Sequence, residues 1–347
     1  MGALAAERIG GVSREEALAF VDEQFGAPDE WFGLVAYRLS NDSQSLWKAE
    51  VGRWLKMAAA HGYLDRLVAP LLKRARKGTP SSDRDPNDQR HLHVLQALTE
   101  PMLDYYLTRT GWTFSRWNYQ ESVPPGIASE KQQYDSDLLL VVGEQEVSVQ
   151  VKAPDRPGKV VGHSLLEGEN DEHVLKAIHK ARDQLPRHRP GVIGVSPVRN
   201  WSLAANPGFV KRDLVGSVTQ LDEDGRKFVL ERRGKFFSPE WSHVSAVMLL
   251  HLSVGGSCDG LEDTANYACT VLLNPRATWP LPATAFGNAS TLWLNGDRFE
   301  WQGGEPGGEH SIPHGTTLVR EEPSLKQSGS GCEAVDQVQS STQQEET

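Results

Sequence analysis

Asp137, Gln150 and Lys152 bring a carboxylate, an amide and an ammonium to the two ends of one apolar stretch, Tyr134 to Lys152. From Glu146 onward this stretch alternates strictly. Val147, Val149 and Val151 fall on one face of a strand, and Glu146, Ser148, Gln150 and Lys152 on the other. Gln150 and Lys152 therefore project from the same face, about 7 Å apart along the strand. The position of Asp137 depends on the turn. A two-residue loop at Gly143-Glu144, with the glycine supplying the positive φ of a type II′ turn, sets Asp137 opposite Gln150. A four-residue loop from Gly143 to Glu146 sets it opposite Lys152 instead. Either register gathers the three side chains on one face.

Such a set suits hydrolysis of a phosphodiester, which needs a hard cation held by oxygen ligands and a positive group beside the reacting phosphate. Asp137 offers a carboxylate, Gln150 an amide oxygen and Val151 a backbone carbonyl as ligands, while Lys152 can orient the attacking water or stabilise developing charge. An acidic residue opening an apolar strand, a turn, and a second strand ending in [E/Q]xK together resemble the signature of the PD-(D/E)xK nuclease superfamily. Gln150-Val151-Lys152 is most similar to the Mrr-type restriction endonucleases. The resemblance covers Gln89 to Ser196 and implies an α/β, restriction-endonuclease-like fold, a mixed sheet flanked by helices. It also implies Mg²⁺ or Mn²⁺ as cofactor and nucleic acid, DNA by preference, as partner. It implies a further acidic ligand from the first helix, and the matching position is Glu100, eleven residues before Gly111. Pro101 follows Glu100 directly and disfavours helical geometry there, so a new helix could start with Thr99 as its cap, and Asp104 is then the substitute acid. The rival reading is the same fold without catalysis, a module that binds nucleic acid or a protein.

The elements around these residues follow from local pattern. Ser13 with Glu16 has the spacing of a capping box and opens a helical N-terminal region, residues 1–85. A second helical stretch from Leu46 to Arg76 should break near Gly62, and its basic end, Lys73 to Lys77, complements a helix macrodipole. Residues 86–302 are the expected nuclease-like domain. A helix over Gln89–Thr110 stops at Gly111; Trp112 to Tyr119 alternates as a strand; the hairpin follows, then a helix from Asn170 to Leu185 and a buried strand from Val192 to Ser196. In that second helix Lys176, Lys180 and Gln184 recur at i, i+4 and i+8, a candidate row for nucleic-acid phosphates. His243 to Val254 reads equally as a strand or a buried helix, and Tyr267 to Leu273 as a strand. From Gly303 the composition turns to Gly, Pro, Ser, Gln and Glu, so residues 303–347 are expected to form a disordered tail.

Charge matters here by its location. The net charge of -10 divides into -5 over residues 1–151, +5 over 152–237 and -10 over 238–347, so the basic excess follows directly on Lys152. No apolar run approaches the roughly 20 residues that span a bilayer, the N-terminus lacks signal-peptide order, and three isolated cysteines give neither a disulfide framework nor a zinc site. A cytoplasmic protein without a membrane partner is the expectation. Neither a Walker-type phosphate loop nor a GxSxG elbow occurs in the chain. His91 and His93 diverge on a helix and make a poor metal pair.

Overall fold

In the computed structural model of the chain, the described residues are 12–25, 45–75, 86–122, 133–154, 160–161, 164–165, 171–196, 207–221, 228–255, 264–306, 312 and 314–318. The first helix, α1 (Arg14–Phe25), opens on the capping box. The Ser13 hydroxyl accepts from the Glu16 amide at 3.1 Å, and Glu16 accepts from the Ser13 amide at 3.3 Å. Next come α2 (Ser45–Ala60) and α3 (Leu64–Ala75), separated at Gly62, whose φ of 76° ends α2 in the left-handed region that glycine adopts without strain. On α3, Leu64, Leu67, Val68 and Leu71 recur at helical spacing and are all buried.

The fourth helix, α4 (Pro86–Arg109), runs unbroken through Pro101, contrary to the expectation of a new start there. Proline removes one N–H from the ladder, but burial of Val94, Leu95, Leu98, Met102, Leu103 and Leu107 along one stripe holds the helix together across the gap. Thr99 is not a cap; its hydroxyl donates to the Leu95 carbonyl at 3.2 Å within the helix.

Thirteen strands follow among the described residues: β1 (Thr113–Ser122), β2 (Gln133–Val142), β3 (Gln145–Lys152), the short pair β4 (Val160–Val161) and β5 (Ser164–Leu165), β6 (Gly191–Val195), β7 (Gly216–Gln220), β8 (Phe228–Arg233), β9 (Val244–Gly255), β10 (Thr264–Leu273), β11 (Ser290–Asn295), β12 (Arg298–Gln302) and β13 (Thr316–Leu318). Helix α5 (Asp171–Arg182) links β5 to β6, and α6 (Pro207–Leu214) precedes β7. Eleven strands form one mixed sheet in the order β1-β2-β3-β6-β9-β10-β11-β12-β13-β8-β7. Strands β1, β2 and β3 are antiparallel neighbours, and β3, β6 and β9 are parallel. From α4 to β6 the sequence is therefore helix, three strands, helix, strand, apart from the small β4–β5 ladder in the connection.

One core lies between the sheet and α1 to α4 and joins Trp54 and Leu71 to Leu138, Val149, Val192 and Met248. The N-terminal helices thus share a core with the sheet. Across the sheet, Ile193, Val195, Val247 and Leu249 pack with Val174 and Ile178 of α5 and Val210 of α6. Leu230 of β8 and Phe299 of β12 belong to this second core as well, so the far part of the sheet curls round α5 and α6. Because helices cover both faces of β9, His243 to Val254 reads as a continuous apolar run, and it is a strand. Strand β13 lies within the expected tail and pairs with β8 and β12; most of residues 303–347 falls outside the described residues. Among the described residues no helix is long and apolar enough to cross a membrane.

Candidate active site

The turn between β2 and β3 is the two-residue one. Gly143 has φ 61°, and Val142 pairs with Gln145, Leu140 with Val147, and Leu138 with Val149. The same register continued by one step sets Asp137 against Gln150, but the ladder between these strands ends at Leu138 and Val149, while β2 stays paired with β1 to Gln133. Into this fork the Asp137 carboxylate turns. One oxygen, Oδ2, accepts from the Gln150 amide at 2.5 Å and from the Val151 backbone N–H at 2.6 Å.

The strand geometry aims the Val151 carbonyl at the same fork. Within a strand, the N–H and C=O of one residue point to one side and those of its neighbours to the other. The Lys152 carbonyl accepts from Ser196 N, on the β6 side, at 3.0 Å, and the Val151 N–H points to Asp137, on the β2 side. Gln150 itself is 2% exposed, and its Oε1 is a buried acceptor that meets no donor among the described residues. An orphaned amide oxygen is costly unless something electropositive meets it. A divalent cation held between this oxygen, Asp137 and the Val151 carbonyl fits the donor set.

Glu100 reaches the site from α4. Its Oε2 accepts from Trp117 Nε1 at 2.8 Å. Burial, with the nearby negative charge of Asp137 second, pushes the Glu100 carboxyl up to about 7, against the pull of Trp117 and Lys152. Burial also raises Asp137, and the Lys152 charge is the main opposing influence there. Glu100 thus feels the charges of Asp137 and Lys152, and Asp137 that of Lys152. Helix α4 can come this close because β6 carries Gly194 beneath it; a Cβ there would stand 1.9 Å from Leu103 Cδ2.

Asp104, the alternative acid, lies elsewhere. It is fully buried and accepts from His61 Nδ1 at 2.8 Å, Tyr63 OH at 2.8 Å and Thr108 Oγ1 at 3.2 Å. Among the described residues no three His, Cys, Asp or Glu side chains gather as a cation site, so any ion here depends on the amide and backbone oxygens beside the carboxylates.

Of the candidate phosphate row, Lys176 and Lys180 lie one turn apart on α5, and Gln184 lies beyond its end. Helix α5 ends at Arg182, two residues before Gln184, and Lys176 pairs with Glu172 at 3.2 Å on the same helix surface. The i+8 spacing fails because the helix stops short of it. Four cations of the basic segment, Arg212, Arg232, Arg233 and Lys235, instead border a cavity of about 350 Å³ together with Asp213.

Two residues that matter here escape a reading of pattern alone. Trp117 looks like any strand aromatic, yet it holds Glu100. Asn118 has φ 49° in the middle of β1, and since Trp117 pairs with Leu138 and Tyr119 with Ser136, it sits directly across from Asp137. Arg189 bridges the two ends of this stretch, which also holds the irregularity after Phe114. Its guanidinium holds Glu146 at 3.1 Å and also Glu121. Glu121 faces Tyr134 and Glu146 faces Val141, positions about 23 Å apart along a straight strand. One guanidinium can hold both only because the hairpin bends back between them, and the stretch that bends includes Asn118 and Asp137.

The fold is a mixed α/β one, with an 11-stranded mixed sheet and six α-helices among the described residues. No model of a protein family, no curated protein and no solved structure matches the chain.

Proposed function

We propose that this protein is a metal-dependent nuclease of the PD-(D/E)xK kind, hydrolysing phosphodiester bonds, with DNA as the favoured substrate and Mg²⁺ or Mn²⁺ as cofactor. The observation that carries this reading is the Asp137 carboxylate set against Gln150 and Val151 at a fork between two strands, with Glu100 close enough to feel the charges of Asp137 and Lys152. The order of elements from α4 to β6 supports it as well. Asp137, Gln150 Oε1, the Val151 carbonyl and Glu100 would hold the cation. A divalent cation so held polarises the phosphoryl group and lowers the pKa of a bound water. Lys152 supplies a positive charge and a hydrogen-bond donor where negative charge grows on the phosphate oxygens. Glu100, near 7, is half-protonated at neutral pH and can give up its proton when a cation arrives.

One observation favours the second reading, a nucleic-acid or protein-binding module of this fold without catalysis. Asp137 Oδ2 already receives two donors from β3, so the carboxylate is satisfied by the chain itself.

Cleavage of plasmid and single-stranded DNA with Mg²⁺ or Mn²⁺, beside Mn²⁺ titration, separates the two. Lys152→Ala is expected to slow cleavage by about a hundredfold or more, roughly 3 kcal/mol of transition-state stabilisation, while leaving Mn²⁺ binding largely intact. Asp137→Ala is expected to lose both. Cleavage undiminished in both variants would place the activity elsewhere; absence of cleavage and of Mn²⁺ binding in the wild type would favour the binding module.

A further inference from the structure

Strand β1 is the outer strand of the sheet, and its residues 114–120 wall a cavity of about 340 Å³ together with His61, Tyr63 and Arg66. That volume falls within the ordinary range for a small-ligand site, about 300–1,000 Å³. Planar groups are stacked along its wall. His61 lies on Phe114 with centroids 4.2 Å apart and planes within 7°, and Tyr63 lies on Trp117 at 5.1 Å and 11°. The guanidinium of Arg66 stands 4.8 Å from the centre of the Trp117 ring, and that of Arg116 stands 5.2 Å from the Tyr119 ring. The three aromatic rings of β1 at 114, 117 and 119 are thus each met by a planar group, with guanidinium groups at Trp117 and Tyr119, and both Arg66 and Arg116 are exposed.

Two further observations point to a ligand. The His61 side chain is 4% exposed and lines the cavity; its Nδ1 is held by Asp104, while Nε2 is buried with no partner among the described residues. The cavity also adjoins the candidate active site, since Trp117 holds Glu100 and Asn118 faces Asp137 across β2.

The geometry points to a seat for unpaired nucleotides of single-stranded nucleic acid, which places the scissile phosphate of such a strand beside Glu100 and Asp137. This inference rests on the nuclease reading for the cutting step, and on the β1 wall alone for binding. Stacking on aromatic and guanidinium planes needs an exposed base face, which a duplex hides, while the guanidinium charges answer the phosphates. A peptide adding itself to the outer edge is disfavoured, because the irregularity after Phe114 and the left-handed Asn118 interrupt the row of backbone groups it would need.

The test measures binding by the full chain in EDTA, using a fluorescent thymidine oligonucleotide of about 20 nucleotides and a duplex of the same length. The single strand is expected to bind at least about tenfold more tightly than the duplex. In the Arg66→Ala/Arg116→Ala variant, single-strand affinity is expected to fall about tenfold or more and duplex affinity much less. The Arg66→Lys/Arg116→Lys variant is expected to keep the salt dependence, which charge sets, and lose most of the preference, which planar stacking sets. Equal affinity for both forms, equal losses for both in the alanine variant, or no binding of either would overturn the inference. The nuclease reading fails separately. Preferential single-strand binding without cleavage in Mg²⁺ or Mn²⁺ keeps the seat and removes the enzyme, whereas Lys152-dependent cleavage with duplex preferred does the reverse.

Discussion

Glu100 and Asp104 are carboxylates one turn apart on α4, and the chain surrounds them in opposite ways. Asp104 is fully buried and meets three donors, from His61, Tyr63 and Thr108. A carboxylate has only acceptors to offer, so His61 Nδ1 must carry the proton in that contact. Among the described residues Glu100 meets one donor, Trp117; it feels the like charge of Asp137 and is raised to about 7. A buried acid that is fully partnered serves the fold; one left short of partners stores free energy that a proton or a cation can release. Tyr63, stacked on Trp117, ties the two sites together.

Neutralising the two acids should therefore move stability in opposite directions. Asp104→Ala removes both acceptor oxygens, leaves the buried His61 and Tyr63 donors unpaired, and is expected to lower unfolding stability by about 3 kcal/mol at pH 8. Urea unfolding measures it, and a stability equal to wild type would show that the network contributes nothing.

Glu100→Gln is expected to act the other way. With the carboxyl raised from 4.5 to about 7 in the folded protein, the folded state binds the proton more tightly than the unfolded one. The stabilisation this brings is complete below pH 4.5 and is lost as pH rises through 7. In EDTA, Glu100→Gln should match wild type near pH 4.5, exceed it by roughly 3 kcal/mol at pH 8, and flatten the slope between. Some slope should remain, because Asp137 is raised as well. A variant that is less stable than wild type at pH 8 would break the contrast with Asp104.

The hairpin was legible because its pattern is local. Period-two valines fix the facing of β3, and Gly143 admits the tight turn, so the partnership of Asp137 with Gln150 follows from one of two registers. The break at Gly62, the Ser13–Glu16 cap and the positions of α4, α5 and β6 came from equally local signals. What the sequence hid depends on contacts between distant segments. Pro101 reads as a helix breaker, yet burial along α4 outweighs the lost hydrogen bond. Gln184 continues the spacing of Lys176 and Lys180, but α5 has already ended. The left-handed Asn118 and the Arg189 bridge between Glu121 and Glu146 leave no mark in periodicity. Strand β13 falls in a stretch of poor composition and is held by partners far from it in sequence.

The smallest expected effect bears on what Glu100 is kept short of partners for. Gln150→Glu replaces a neutral amide that donates to Asp137 with a second carboxylate at hydrogen-bonding distance from the first. Without a cation the two charges repel, so Glu100 and Asp137 should hold their protons more tightly still and the metal-free protein should lose stability as pH rises. With a cation the added charge becomes a ligand. Mn²⁺ affinity at pH 8 is expected to rise about tenfold, some 1.4 kcal/mol, and its increase with pH between 6 and 8 should steepen, since more protons leave when the ion binds. Calorimetric titration of wild type, Gln150→Glu and Glu100→Gln in buffers of different ionisation enthalpy gives both the affinity and the protons released. Glu100→Gln should release fewer protons than wild type, because its titrating carboxyl is gone. Equal Mn²⁺ affinity and equal proton release in all three proteins would mean that the poorly partnered acid on α4 does not face a cation, and the difference between Glu100 and Asp104 would then be one of packing alone.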